Sequence, residues 1–175
     1  MILHFPRISI HFIPACVLLL LFIASCDDNT LRPIQYDEIG PFDTTGVASA
    51  KAPNGLVIYF HHKGHGDVIT ENHTVQIRYT GRRTNGEIFD SSFRNELDTP
   101  STLRVNGMIQ GFMQGLAGYI EIVDGQAIRM HAAREGSQRT LVIPPALGYG
   151  GSATHSLSAD TLIFDIDVLS IVTTD

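Results

Sequence analysis

The chain has 175 residues, 43% apolar and 17% charged, with 12 basic against 18 acidic side chains and a net charge of −6. That length fits one domain with extensions, and the apolar content is too high for general disorder. The acidic balance argues against nucleic-acid partners, and two cysteines, Cys16 and Cys26, cannot staple a disulfide scaffold.

From the N-terminus, residues 8–24 (ISIHFIPACVLLLLFIA) form the one long apolar run, preceded by Arg7 and ending in Ala24-Ser25 before Cys26. A basic start, an apolar middle and a small-residue exit describe a secretory signal over residues 1–25. His11 and Pro14 leave the run marginal for a membrane span, which needs about 20 apolar residues. Ile23-Ala24-Ser25-Cys26 resembles the lipobox of bacterial lipoproteins, which implies lipidation of Cys26 and a stable anchor. An uncleaved anchor and an ordinary cleaved signal are the alternatives, and Ile13-Pro14-Ala15-Cys16 is a poorer lipobox. The implied location is the bacterial cell envelope, lipid-anchored, at the outer membrane or cell surface rather than the inner membrane. Asp27-Asp28 read either as a sorting signal or as part of a solvated tether. Residues 26–52 hold no sustained period and are read as that tether.

The pattern then changes to short β-type runs. The first, 56–61, closes on the turn cluster Lys63-Gly64-His65-Gly66-Asp67. In 73–80, Val75, Ile77 and Tyr79 alternate with Gln76, Arg78 and Thr80, the period of a half-buried strand. Asn85-Gly86 predicts a hairpin through a type I′ turn, with 87–90 as the returning strand. A weaker strand follows at 103–105. Ile109, Phe112, Met113 and Leu116 recur at helical spacing within 108–120, after Asn106-Gly107 as a cap. Gly111, Gly115 and Gly118 shorten the expected helix. Within 120–132, Asp124-Gly125 between apolar runs predicts another hairpin, and 139–143 and 161–171 read as strands. Residues 53–175 therefore form an α+β domain, a mostly antiparallel sheet with one helix against it.

Conventional catalytic motifs are missing: there is no G-x-S-x-G, C-x-x-C, H-E-x-x-H or P-loop. His61, His62 and His65, with Asp67 nearby, invite a zinc reading but offer no cysteine and no convincing fourth ligand. Exposed loop histidines are the simpler reading, and no metal or cofactor is expected.

Tyr79-Thr80-Gly81, Gly86 and Phe89-Asp90-Ser91-Ser92 fit the pattern Y-T-G-x(4)-G-x-x-F-D-S-S. In this the chain resembles the FKBP-type peptidyl-prolyl cis-trans isomerases. Residues 141–150 (LVIPPALGYG) are similar to that family's following strand and loop, and 161–166 to its closing strand. Residues 54–59 (NGLVIY) are similar to the opening strand of its secreted bacterial members. The resemblance covers residues 52–173.

It implies an antiparallel sheet half-wrapped around a short helix, with an apolar pocket between them. It also implies a rotamase acting on proline-containing polypeptide clients in the envelope. The catalytic set carried over is Tyr79, Phe89, Asp90, Ile109, Phe112, Tyr149 and Phe164, with Leu103, Met108 and Leu157 binding substrate. The proline ring would sit on Phe112, while the Tyr149 hydroxyl and the Ile109 N–H hold substrate carbonyls and Asp90 acts through Tyr79.

The chain departs from the family at several points. Phe112 stands where a tryptophan is most usual, Leu103 replaces an aromatic, and Met108 replaces a smaller branched residue. Between Leu116 and Leu141 lie 24 residues, more than the family's usual connection. The loop 150–161 is short and lacks the expected proline pair, leaving Leu157 as its apolar wall. A non-catalytic peptide-binding or chaperone lipoprotein using the same pocket is the alternative function. The tether is too short for a dimerising arm, so a monomer is expected, held to the membrane by its N-terminal lipid.

Overall fold

The computed structural model describes residues 39–93 and 99–172. The segment read as a signal, Cys16, the expected lipidation site Cys26 and the expected tether up to residue 38 lie outside the described residues.

Nine strands and one helix follow in chain order. They are β1 (Ser49–Lys51), β2 (Val57–Lys63), β3 (Thr74–Arg83), β4 (Ile88–Ser91), β5 (Ser101–Arg104), α1 (Gln110–Ala117), β6 (Tyr119–Val123), β7 (Gln126–Met130), β8 (Ser137–Ile143) and β9 (Leu162–Ile171). Seven strands make one sheet in the order β1-β2-β8-β9-β3-β4, and β5 also pairs with β3. Every pairing is antiparallel. This is the α+β architecture the sequence predicts.

Period-two alternation sets the two faces of the sheet. Leu162, Phe164, Ile166 and Val168 of β9 are buried with Val75 and Ile77 of β3 and Leu141 and Ile143 of β8. The single helix lies on this face. Gly111 and Gly115 bring it there: a Cβ on Gly111 would stand 2.4 Å from Ile143 Cγ2, and one on Gly115 2.2 Å from Leu141 Cδ1. The glycines that weaken the helix locally are thus the ones that let its backbone press onto β8. Its C-terminal carbonyls are taken by arginines of two strands, Arg139 to Gly115 (2.6 Å) and Arg129 to Ala117 (3.0 Å).

Three expectations are corrected. The tether ends before residue 52, because the chain docks from Ile39 onward. Buried Arg82 donates to the carbonyls of Ile39 (2.7 Å) and Gly40 (3.1 Å), and its partner Asp165 accepts from the Phe42 N–H (3.2 Å). Backbone pairing then places β1 on the edge of β2, although Ser49, Ala50 and Lys51 carry no strand pattern.

The Asn85-Gly86 turn is not type I′, since among the described non-glycine residues only Asp124 and His131 stand at positive φ. Gly86 N–H donates to Arg83 O (3.0 Å) and Arg83 N–H to Glu87 O (2.9 Å), closing a three-residue loop. Asn85 Oδ1 accepts the Glu87 N–H (3.0 Å), so this asparagine braces the turn through its side chain.

The helix is confined to Gln110–Ala117, and its N-cap is Ile109 without a side-chain cap; Asn106-Gly107 belong to a preceding 3-10 turn, Val105–Gly107. Gly118 at φ 83° ends the helix, and Tyr119 begins a strand.

The I′ geometry belongs instead to Asp124 (φ 52°) and Gly125 (φ 80°), which join β6 and β7 into a separate two-stranded ribbon. That ribbon is the hairpin expected within 120–132. Tyr119 and Met130 at its base pack with the core, while Ile120 and Ile122 further along it are 53% and 67% exposed.

Candidate active site

Between the N-terminal end of α1 and the sheet lies a cleft of about 410 Å³. Its lining brings together Tyr79, Asp90, Leu103, Met108, Ile109, Phe112, Tyr149 and Phe164, all expected from the sequence, with Gly107 in addition.

Three rings form the floor. Phe112 of α1 meets Phe164 of β9 edge to face, centroids 5.1 Å apart at 90°. Tyr79 of β3 completes the set at 6.1 Å from Phe112 and 6.3 Å from Phe164. Phe112 and Phe164 are only 3% and 4% exposed, so the floor is an edge of the hydrophobic core brought to the surface.

Phe89 does not line the cleft. It packs behind Phe164, rings perpendicular with centroids 5.5 Å apart. The β3–β4 register steps from Gly81↔Asp90 to Arg82↔Ile88, which makes Phe89 the extra residue of a β-bulge. A bulge re-aims neighbouring side chains. Here Phe89 backs the floor while Asp90 reaches the cleft. Gly81 makes room, since a Cβ there would stand 2.7 Å from Phe164 and 2.9 Å from Phe89.

The two serines of the F-D-S-S block tie β4 to Tyr79. Ser92 Oγ accepts the Tyr79 N–H (3.0 Å), while Ser91 Oγ donates to the Tyr79 carbonyl (3.1 Å). The Tyr79 hydroxyl in turn donates to Asp90 Oδ2 (3.1 Å).

Opposite stands Tyr149, just after the 3-10 turn Pro145–Leu147. Burial, then the charge of Asp90, raises its pKa above the ordinary 10.0, so the phenol remains a donor at neutral pH. Its ring stacks on His155, centroids 3.9 Å apart and planes 5° from parallel. His155 Nδ1 accepts the Leu157 N–H (3.1 Å), which fixes the imidazole. Sequence reasoning missed His155. No motif marks it, and only the succession of turns from Ser152 to Asp160 folds it back onto Tyr149.

Leu157 is corrected as well. It is 6% exposed and belongs to the core rather than the cleft wall. An isolated leucine in a polar loop gains more by turning inward than by facing solvent. At the other rim, the Ile109 N–H has no acceptor among the described residues, and it lies at the uncapped start of α1.

His61 Nε2 is 2.9 Å from Thr140 Oγ1, and His62 Nδ1 is 2.7 Å from the Gly136 carbonyl. Among the described residues no three His, Cys, Asp or Glu side chains converge as metal ligands.

An antiparallel sheet half-wrapped around one short helix, with an aromatic cleft at the helix start, defines a prolyl-isomerase-like domain. The chain belongs to the FKBP-type peptidyl-prolyl cis-trans isomerase family, whose sequence model matches residues 66–169. It is 32% identical over 120 residues to a probable FKBP-type peptidyl-prolyl cis-trans isomerase of Haemophilus influenzae, covering 67% of this chain and 43% of that protein. It is 34% identical over 124 residues to FkpA of Buchnera aphidicola, covering 70% of this chain and 43% of that protein. The match thus spans less than half the length of these two curated relatives. Among solved structures, FKBP13 of Arabidopsis thaliana superposes with a TM-score of 0.58 at 29% identity, over 71% of this chain and 99% of that one. FkpA of Escherichia coli superposes with a TM-score of 0.58 at 27% identity, over 70% and 51%.

Proposed function

We propose that the chain accelerates cis–trans rotation of X-Pro bonds in envelope polypeptides, as a monomer tethered by a lipid on Cys26. The observation that carries this reading is the Tyr79–Phe112–Phe164 floor, with a phenol donor at one rim and a free backbone N–H at the other.

Rotation breaks no σ-bond; its barrier of about 18–20 kcal/mol is lost C–N resonance. A catalyst therefore needs no nucleophile and no metal. It must hold the twisted amide better than the planar one, whose carbonyl is more polarised. A desolvated aromatic floor under the proline ring penalises the planar form more. Acceleration of about 10⁴-fold corresponds to about 5.5 kcal/mol of such preference. The Tyr149 hydroxyl and the Ile109 N–H grip carbonyls flanking the rotating bond. Asp90 is a positioning residue that fixes Tyr79 and transfers no proton.

The full chain is tested on refolding of a protein whose slow phase is proline isomerisation. Faster refolding, lost in Tyr149→Phe, supports the reading. Binding of the unfolded chain with no change in the slow phase replaces it with a non-catalytic peptide-binding module. For the anchor, Cys26→Ala should release the chain from membranes, and unchanged retention would refute lipidation.

A further inference from the structure

A second cavity, about 440 Å³, lies beside the base of the β6–β7 ribbon. Phe60, Lys63, His131, Ala132, Arg134 and Arg139 line it, and none of them lines the aromatic cleft.

Arg139 is 3% exposed. Both of its hydrogen bonds leave from Nη1, to the carbonyls of Gly115 (2.6 Å) and His131 (3.0 Å). Nε has no partner. Among the described residues, no carboxylate forms an ion pair with Arg139, Lys63 or Arg134. A guanidinium this deeply buried ordinarily faces an oxyanion or a full set of acceptors. Burial draws its pKa down to about 10, which leaves it a cation at neutral pH.

The surroundings are specific. Arg139 Cζ lies 5.6 Å from the centroid of the Phe60 ring, and the His131 ring packs against Phe60 at 5.2 Å. Lys63 and Arg134 are exposed and add charge to the lining. Among the described residues no acid lines the cavity, in a chain whose net charge is −6. His131 stands at φ 58°, a conformation costly for a non-glycine residue, and its carbonyl is one of the two acceptors on Nη1.

We propose that this cavity binds a small carboxylate with an apolar body, its oxygens drawn to the Nη2 side of Arg139 and to Lys63 and Arg134, and its apolar part on Phe60. A guanidinium nitrogen donates a charge-assisted hydrogen bond to a carboxylate oxygen, and Lys63 and Arg134 supply the attracting field. A free organic acid and the carboxyl terminus of a polypeptide present this same chemistry.

The test is an NMR titration of the full chain, following the Arg139 Nε–H and the His131 amide. Phenylacetate and phenylacetamide form one arm. A short peptide ending in phenylalanine, with free or amidated carboxyl terminus, forms the other. Saturable shifts with the acids, weakened about tenfold or more in the amides and in Lys63→Gln/Arg134→Gln, support the site. That double variant spares the Arg139 bonds to Gly115 and His131 and leaves isomerase activity unchanged. Tighter binding of the peptide than of phenylacetate assigns the site to polypeptide termini; the reverse assigns it to free acids. No saturable shift, an equal response to acid and amide, or shifts centred on Tyr149 would overturn the proposal.

Discussion

Tyr79 and Asp90 face each other across β3 and β4, and the phenol donates to Asp90 Oδ2 at 3.1 Å. The bulge at Phe89 and the clamps of Ser91 and Ser92 on the Tyr79 backbone set up that contact. The same carboxylate contributes to the raised pKa of Tyr149, so Asp90 is linked to both tyrosines of the cleft.

If the pair acts as one unit, removing either half should cost the same. Tyr79→Phe and Asp90→Asn are each expected to lower kcat/KM by about tenfold, the value of one hydrogen bond to a charged group. The double variant should be little worse than either single one. Additive losses in the kinetic cycle would show that the two residues act separately.

Tyr149 should ionise later than an ordinary tyrosine. Its folded pKa is raised by burial and then by Asp90, so its contribution to stability holds below 10.0 and is lost as pH rises through the folded value. Donor function therefore persists through neutral and mildly alkaline pH. Ultraviolet titration should show a phenol ionising above 10.0, and Asp90→Asn should bring it part of the way back while burial keeps it raised. An unchanged midpoint in that variant would remove Asp90 from the account.

His155 is expected to act through Tyr149 as a positioning residue. Losing a stacked ring is worth about 0.5–1.5 kcal/mol, so His155→Ala should cut kcat/KM about threefold to tenfold. His155→Phe, which restores a flat ring, should recover most of the loss. In a Tyr149→Phe background the alanine change should matter much less. A full effect there would indicate that His155 works independently of the hydroxyl.

The seat of α1 on β8 can be tested by stability alone. Gly115→Ala would favour an isolated helix by about 1 kcal/mol. In the folded chain the new methyl would stand 2.2 Å from Leu141 Cδ1. Overpacking of this kind costs about 1–3 kcal/mol, so denaturant unfolding should show net destabilisation. A gain in stability would mean that the helix can lift from the sheet at no cost.

Much of this was legible in the residues. The alternation of Val75, Ile77 and Tyr79 and of Leu162, Phe164 and Ile166 gave two central strands, because a half-buried strand writes its period into the chain. Motif residues Tyr79, Asp90, Phe112 and Tyr149 do meet at one cleft. What was hidden depends on neighbours distant in sequence. Asn85-Gly86 and Asp124-Gly125 both match hairpin turns, yet only the second adopts I′, while Asn85 spends its side chain on the Glu87 N–H. Residues 39–52 look like linker because backbone pairing and the buried Arg82 hold them, and neither leaves a hydrophobic pattern. Gly111 and Gly115 argue against a helix until Ile143 and Leu141 are seen to need the space.

The most direct measurement is cis–trans exchange in short X-Pro peptides, followed by NMR with the full chain and with Tyr149→Phe. The account predicts exchange well above the uncatalysed rate of tens to hundreds of seconds, reduced about tenfold or more in the variant, with the folded spectrum unchanged. A folded chain that leaves exchange at the uncatalysed rate for every X would contradict it.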